Sequence, residues 1–170
     1  MRRPINEKQK GKCVDNSGFV GKGKHFASLL LLAVVCTAEA GGATKLACVE
    51  DAAKRFDHNP NLLRALIEVE SSGKCQKVHP KNADGSYDIG CMGINTRWLP
   101  LLQKKFGLTE QDLYDPCTNI HIGAWVLAKN IRDFGNNWRA VGAYNAKTEH
   151  KRIEYVWKVN AKLYELRRSS

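Results

Sequence analysis

The chain has 170 residues, which is enough for one domain and not comfortably for two. Hydrophobic residues make up 43% of it and charged residues 26%, an ordinary globular composition that excludes an intrinsically disordered chain. The formal net charge of +10 indicates affinity for polyanions such as nucleic acid, anionic membranes or an anionic cell wall.

The first forty residues have the three parts of a secretory signal peptide. Lys22 and Lys24 precede a continuous apolar run at 26–35, and an A-x-A cleavage pattern follows at 38–40. The run is shorter than the roughly 20 residues of a membrane-spanning helix. We therefore predict a signal peptide with a long polar extension over residues 1–40, a periplasmic location and no stable membrane insertion after cleavage. An uncleaved anchor is the alternative.

Removal of that segment also removes excess positive charge, so the remaining chain is only moderately basic. The remainder holds no Lys/Arg cluster interleaved with aromatic residues. Both observations argue against a nucleic-acid-binding protein.

Cysteine and histidine spacing bears on disulfides and metals. An even number of cysteines in an exported chain indicates disulfides, and the four that remain allow three pairings: Cys48, Cys75, Cys91 and Cys117. No CxxC or HxxxH spacing occurs, and the five histidines are scattered. The sequence therefore predicts no metal site, no cofactor, and no Ser-His or Cys-His catalytic pair.

The mature part of the chain begins with two predicted helices. Helical character extends over 46–56. Asn59 then serves as an N-cap and Pro60 as the first residue of a helix that runs to about Ser71, with Gly73 as its stop.

Residues 74–96 change character and predict a small, irregular β-region. Turn formers are dense over 81–88, and Asp84-Gly85 is a hairpin-type signal. Helical spacing then returns over 98–106, 115–134, 138–146 and about 153–163. The sequence therefore predicts an α+β fold, mostly α-helical with a small β-insert, in one domain over residues 45–168.

Glu70 occupies an unexpected place in the second helix. The apolar stripe of that helix is Leu63, Leu66 and Ile67, and its next member is Glu70. Burial and the helix C-terminus both disfavour the charged carboxylate, so its pKa should be raised. A protonated carboxyl group in a cleft can protonate a glycosidic oxygen. The alternative is a residue at a fraying helix end that faces water.

Asp88 follows Glu70 by 18 residues and lies in the predicted β-insert. Glycoside cleavage usually uses two carboxyl groups that flank the bond, and a helix-borne acid opposite a strand-borne carboxylate would form such a cleft. The alternative is a turn aspartate that accepts hydrogen bonds from nearby backbone.

Four motifs then occur in a fixed order: Glu70-Ser71, Asn82 to Asp88, Gly90 to Asn95, and Ala143 to Ala146. With these motifs the chain resembles the lysozyme-like soluble lytic transglycosylase domain over roughly Cys48 to Tyr164. The likeness is greatest to the small specialised members associated with type III and type IV secretion systems and pili. The stretch from Asn82 to Trp98 also resembles animal-type lysozyme.

The two resemblances imply different chemistry. The transglycosylase likeness implies that Glu70 is the catalytic acid and then the base in peptidoglycan cleavage. The products would be 1,6-anhydro-muramic ends, and Asp88 would be structural or bind substrate. The lysozyme likeness implies a hydrolytic muramidase in which Asp88 is the second carboxylate. A non-catalytic peptidoglycan-binding protein of secretion assembly is a further alternative.

The transglycosylase likeness also implies a set of substrate-contacting residues. The cleft would be lined by Asp88, Ser71, Met92, Ile94 and Asn95. Tyr144 and Asn145 would approach Glu70 from the opposite wall, and Tyr155 would close the site. Tyr144 has an alternative role as a core aromatic residue. Two positions depart from the family pattern: Gly93 stands where a glutamine is usual, and Lys147 where a glycine is usual.

The same likeness implies the disulfides Cys48–Cys117 and Cys75–Cys91, a monomeric enzyme, and peptidoglycan as the partner. It further implies local wall opening for a secretion, pilus or conjugation machine.

Overall fold

The computed structural model describes residues 40–169, with side chains from residue 45 onward. The predicted signal peptide lies outside the described residues except for Ala40. Within this range the structure forms the helices α1 (Ala40–Phe56), α2 (Pro60–Ser71), α3 (Leu99–Phe106), α4 (Pro116–Phe134), α5 (Trp138–Asn145) and α6 (Glu149–Arg168), with short 3-10 turns at 96–98 and 111–114. The described helices include none that is long and apolar enough to cross a membrane.

The predicted β-insert is a single hairpin. Strand β1 (Asp88–Ile89) pairs antiparallel with strand β2 (Ile94–Asn95), and Asp88 lies opposite Asn95. Because helices dominate and the sheet has two short strands, the predicted α+β class with a small β-insert is confirmed.

The hairpin connection differs from the prediction. The Asp84-Gly85 turn does form, since the Asp84 carboxylate accepts a hydrogen bond from the Ser86 backbone N–H at 3.0 Å. It lies before β1, however, and residues 90–93 join the strands. Gly90 and Gly93 supply the left-handed backbone that this connection needs, with φ of +74° and +57°.

Helix α2 begins at Pro60 and ends at Ser71, as predicted, but the residue that stops it is not Gly73. The Asn59 side chain accepts a hydrogen bond from the Asn61 N–H at 2.9 Å, and Pro60 opens the helix. The left-handed residue that ends the helix is Ser72, with φ of +50°, and Gly73 follows with φ of +69°.

The core lies between α4 and α6 and the helices that pack against them. Helix α4 packs against α1 and α5, and α6 packs against α2 and α5. Helical spacing over 115–134 places Ile120, Ala124 and Leu127 on one face of α4, and all three are buried. Helix α6 contributes its own stripe, which includes Tyr155 and Val159.

Two disulfides connect these parts. Cys48 of α1 is bonded to Cys117 at the start of α4, and Cys75 after α2 is bonded to Cys91 in the hairpin connection. This is the pairing that the family resemblance implies. The first disulfide links α1 to the start of α4, and the second fixes the hairpin connection beside the C-terminus of α2.

Candidate active site

Glu70 lies in the last turn of α2, at the end of a buried apolar stripe. Leu63 and Leu66 have no exposed surface and Ile67 is 4% exposed, while Glu70 is half-buried. Helical spacing places its carboxyl group on the same face, so it leaves the core at the edge of the β-hairpin. This is the position that the periodicity of the sequence predicts.

The environment of Glu70 favours its protonated form. Burial raises the pKa of its carboxyl group from 4.5 to about 7, and the nearby Asp88 carboxylate acts in the same direction. A hydrogen bond from Tyr155 and the positive charge of Lys158 oppose this rise. A carboxyl group with this pKa is available as both acid and base near neutral pH.

Two tyrosines from different helices stand on the α5–α6 side of Glu70. The Tyr155 hydroxyl donates a short hydrogen bond to Glu70 Oε1. The Tyr144 ring stacks on that of Tyr155, with centroids 6.5 Å apart, and its hydroxyl donates to the Met92 carbonyl oxygen at 2.9 Å. Burial raises the pKa of both phenols, and the Glu70 carboxylate adds to the rise, so both remain hydrogen-bond donors.

Asp88 and Asn95 face each other across the hairpin. The Asn95 side-chain N–H donates to Asp88 Oδ1 at 2.8 Å and lies 3.3 Å from the Ser86 hydroxyl, and its oxygen accepts from the Arg97 N–H at 3.1 Å. Asp88 is half-buried and close enough to Glu70 to raise its pKa. The arrangement places two carboxyl groups on neighbouring elements.

Gly93 faces the Glu70 carboxyl group directly. A Cβ atom on Gly93 would lie 2.6 Å from Glu70 Oε2 and 3.4 Å from Glu70 Cβ. The backbone of Gly93 is also left-handed. Gly93 stands where the family usually has a glutamine. In this structure the missing side chain leaves room for the Glu70 carboxyl group.

Two residues predicted to line the cleft have buried side chains. Met92 has no exposed surface and packs against Gly123 of α4, and Ile94 is 2% exposed. Side chains alternate along β2, so Ile94 points into the core while Asn95 points out. Met92 takes part through its backbone carbonyl, which accepts the hydrogen bond from Tyr144.

Ser71 and Asn145 differ in how their side chains are engaged. The Ser71 hydroxyl is 3.0 Å from the Cys91 carbonyl oxygen and 3.1 Å from that of Ile67, so it ties α2 to the hairpin connection. Asn145 is the last residue of α5 and is exposed, and its side chain makes no hydrogen bond within residues 45–169. The Asn145 side chain is therefore accessible to a ligand, whereas the Ser71 hydroxyl is already hydrogen-bonded to backbone carbonyl oxygens.

Asn119 is a supporting residue that sequence reasoning missed. It is fully buried in α4, and its amide N–H groups donate to the carbonyl oxygens of Ile89 and Leu113 at 2.9 and 3.1 Å. Its oxygen accepts from the Met92 N–H at 2.8 Å. The signal was available, because Asn119 is a polar residue in an apolar stripe, as Glu70 is.

The sequence matches a known protein family and several known proteins. The family described as "Transglycosylase SLT domain" matches residues 47–162. Invasion protein IagB of Salmonella typhimurium is 38% identical over 119 residues, which cover 69% of this chain and 73% of IagB. A peptidoglycan-binding-like protein of Escherichia coli O157:H7 is 33% identical over 144 residues, covering 79% of this chain and 85% of that protein.

A solved structure supports the fold. It is that of an inactive mutant of the lytic transglycosylase Slt from Pseudomonas aeruginosa, with a TM-score of 0.57 and 21% identity. The match covers 69% of this chain but only 23% of the Slt chain, so the shared part is one domain of a longer protein.

The fold and the half-buried acid at the hairpin edge define a protein of the lytic transglycosylase class, with a lysozyme-like fold. Because the family match spans well over half of the sequence, the chain belongs to the transglycosylase SLT domain family.

Proposed function

We propose that the protein cleaves the β-1,4 bond between N-acetylmuramic acid and N-acetylglucosamine in peptidoglycan and leaves 1,6-anhydro-muramic ends. The observation that carries this proposal is Glu70, a half-buried carboxyl group with a pKa near 7 at the edge of the hairpin. Membership of the family supports the reaction class. Glu70 and the residues that contact it support the individual steps of the reaction.

Glu70 would act twice in one turnover. Its carboxyl group donates a proton to the glycosidic oxygen as the bond from that oxygen to C1 of the muramic sugar breaks. The C6 hydroxyl of the same sugar then bonds to C1, and its proton passes to the Glu70 carboxylate. Glu70 ends protonated as it began, and no water is consumed. The substrate's N-acetyl oxygen stabilises the positive charge at C1 between the two steps.

The two oxygens of Glu70 would have separate roles. Oε1 accepts the hydrogen bond from Tyr155, which fixes the orientation of the carboxyl group. Oε2 lies beside the open space at Gly93, so it is the oxygen that carries the transferred proton. Tyr155 is thus a positioning residue, and its raised pKa keeps the hydroxyl proton in place.

Substrate contacts would come from the polar residues that remain accessible around the acid. Asp88 and Asn95 present half-buried side chains on the hairpin, and Asn145 presents an exposed one at the end of α5. Tyr144 and Ser71 hold the hairpin connection through their hydrogen bonds to Met92 and Cys91.

A hydrolytic muramidase is the second candidate, and the position of Asp88 favours it. Asp88 lies close enough to Glu70 to raise its pKa, as a second carboxylate across a scissile bond would. In that reaction water attacks C1 and the product carries a reducing end. The hydrogen bond from Asn95 holds Asp88 in place for either role.

Digestion of purified peptidoglycan separates these candidates. The wild-type protein and Glu70→Gln are incubated with it, and the released fragments are identified by mass spectrometry. We expect anhydro-muramic ends from the wild type and none from Glu70→Gln. Reducing ends would assign the muramidase instead, and no release by a folded protein that binds peptidoglycan would assign a non-catalytic binding role.

We further propose that the enzyme acts in the periplasm, as a monomer, and opens the wall locally for a secretion or pilus machine. The two disulfides support an oxidising compartment. The likeness to a protein named for invasion supports the link to a secretion machine.

A further inference from the structure

An open groove lies between the start of α5 and the middle of α6. Its volume is about 440 Å³, and its apolar lining comes from Trp138, Ile153, Val156 and Trp157. The residues that α6 contributes recur at spacings of three and four, so they form one face of that helix. Tyr155, which contacts Glu70, lies on a different face. The groove is therefore separate from the candidate active site.

The apolar side chains of this groove are unusually exposed. Trp157 is 68% exposed, Ile153 50% and Trp138 45%. Single exposed apolar residues are common, but three large ones around one concave surface mark an interaction site. The proposed glycan chemistry uses none of them.

The charge at the edge of the groove is positive. Arg152 is partly neutralised by Glu149 at 3.8 Å, and its Nε–H donates to the Ala146 carbonyl oxygen at 3.0 Å. Arg139 also lines the groove, and within residues 45–169 it makes no ion pair and no side-chain hydrogen bond. A partner with a carboxylate beside its apolar residues would neutralise Arg139.

We propose that this groove binds an amphipathic helix of another protein, one with apolar side chains at three- and four-residue spacing and acidic residues beside them. Tryptophan and arginine are the residues that most often dominate protein interfaces. The groove lies between two helices, α5 and α6, that pack against each other. Such a groove accepts a third helix by inserting its apolar ridge.

Charge and polarity disfavour the other occupants. A second copy of this chain would bring further positive charge to a positive groove, because the chain remains basic after the predicted signal peptide is removed. The chain's own apolar run at 26–35 is flanked by Lys22 and Lys24, which have the same sign as Arg139. A glycan strand is polar on its edges, whereas Ile153 and Val156 offer it no hydrogen bond.

Fluorescence anisotropy with two labelled synthetic helices tests the proposal. Both peptides are about 18 residues long, a length that can form a helix, with leucines at three- and four-residue spacing. One carries glutamates beside the leucines and the other carries lysines. We expect the purified protein to bind the glutamate peptide more tightly. Trp157→Ala should weaken that binding roughly tenfold, and Arg139→Glu should reverse the preference between the peptides.

Tyr164→Ala is the matched control, since Tyr164 is a 62% exposed aromatic residue of the same helix outside the groove. It should leave peptide binding unchanged. Thermal melts check that each variant is folded. Equal affinity for both peptides, no binding of either, or no effect of Trp157→Ala would overturn the proposal.

Two further outcomes would also overturn it in favour of another occupant. Displacement of the peptide by soluble peptidoglycan fragments from the Glu70→Gln protein would assign the groove to glycan. Dimers that depend on Trp157 in sedimentation equilibrium would assign it to a second copy. None of these measurements depends on catalytic activity, so the proposal stands or falls separately from the proposed reaction.

Discussion

Burial of the charged form of Glu70 destabilises the folded protein. Its pKa is about 7 in the folded protein, whereas it is near 4.5 in a solvated chain. The folded state therefore binds more protons between these values, and its free energy of unfolding falls as the pH rises from 4.5 to 7. Groups whose pKa is shifted at such a cost are common among residues that perform acid–base chemistry.

Glu70→Gln should consequently stabilise the protein at neutral and alkaline pH. The gain should be about 3 kcal/mol above pH 7, because glutamine keeps the acceptor for Tyr155 without a buried charge. It should vanish below pH 4.5, where Glu70 is protonated in both states. Urea unfolding of both proteins across this pH range measures it. A constant difference at all pH values would contradict the raised pKa.

The neighbours of Glu70 should move its titration in opposite directions. The kcat/KM should fall with rising pH as Glu70 loses its proton. Tyr155→Phe removes a hydrogen bond that favours the Glu70 carboxylate, so the pKa of Glu70 should rise and this fall should move to higher pH. Asp88→Asn removes a like charge while keeping the acceptor for Asn95, so the fall should move to lower pH. If neither variant moves the fall in activity, the titrating group is another residue.

Gly93 should be required for the acid to keep its position. Gly93→Ala places a Cβ atom 2.6 Å from Glu70 Oε2, which is too close, so we expect activity to fall at least roughly tenfold. Gly93→Gln should behave alike and not restore a missing contact. Gly107→Ala is the matched control, because Gly107 has φ of +71° with nothing within 4 Å of its Cβ position. Equal activity losses in Gly93→Ala and Gly107→Ala would contradict this role.

At the scale of elements, the sequence predicted the helices well because their apolar periodicity extends over several turns. Helix α4 spans 19 residues, so its stripe and both its ends were readable. Helix α2 also carried its own start signals, Asn59 and Pro60. The acid at its other end was found because it interrupts that periodicity.

The hairpin could not be predicted in the same detail. Strands of two residues are too short to show alternation, so Asp84-Gly85 was the strongest turn signal available. The connection at 90–93 is instead determined by tertiary contacts, which include Asn119 and Tyr144. For the same reason the inward direction of Met92 was not evident from the sequence.

At the scale of the whole molecule, the two disulfides should separate stability from activity. Cys48–Cys117 closes a loop of 69 residues, and its loss should cost about 4 kcal/mol by the chain-entropy model. Cys75–Cys91 closes a loop of 16 residues, for which the same model gives about 3 kcal/mol. Only the second disulfide lies in the connection that faces Glu70.

Paired cysteine-to-serine variants test this difference. The variant without Cys48–Cys117 should have the lower Tm and keep its activity at temperatures where it is folded. The variant without Cys75–Cys91 should lose activity before it unfolds. The connection at 90–93 holds Gly93 against Glu70 and accepts the hydrogen bond from Ser71, so loosening it disturbs the acid. Activity that follows the folded fraction equally in both variants would contradict a separate role for the hairpin.

The central claim, that Glu70 cleaves glycan strands without consuming water, is tested most directly by digestion in oxygen-18-labelled water. Hydrolysis places a solvent oxygen on C1 of each new muramic end, whereas attack by the sugar's own C6 hydroxyl places none. The account predicts fragments that are one water lighter than hydrolysis products and carry no label, and none from Glu70→Gln. Labelled reducing ends from the wild-type protein would contradict it and would identify a muramidase that uses Asp88.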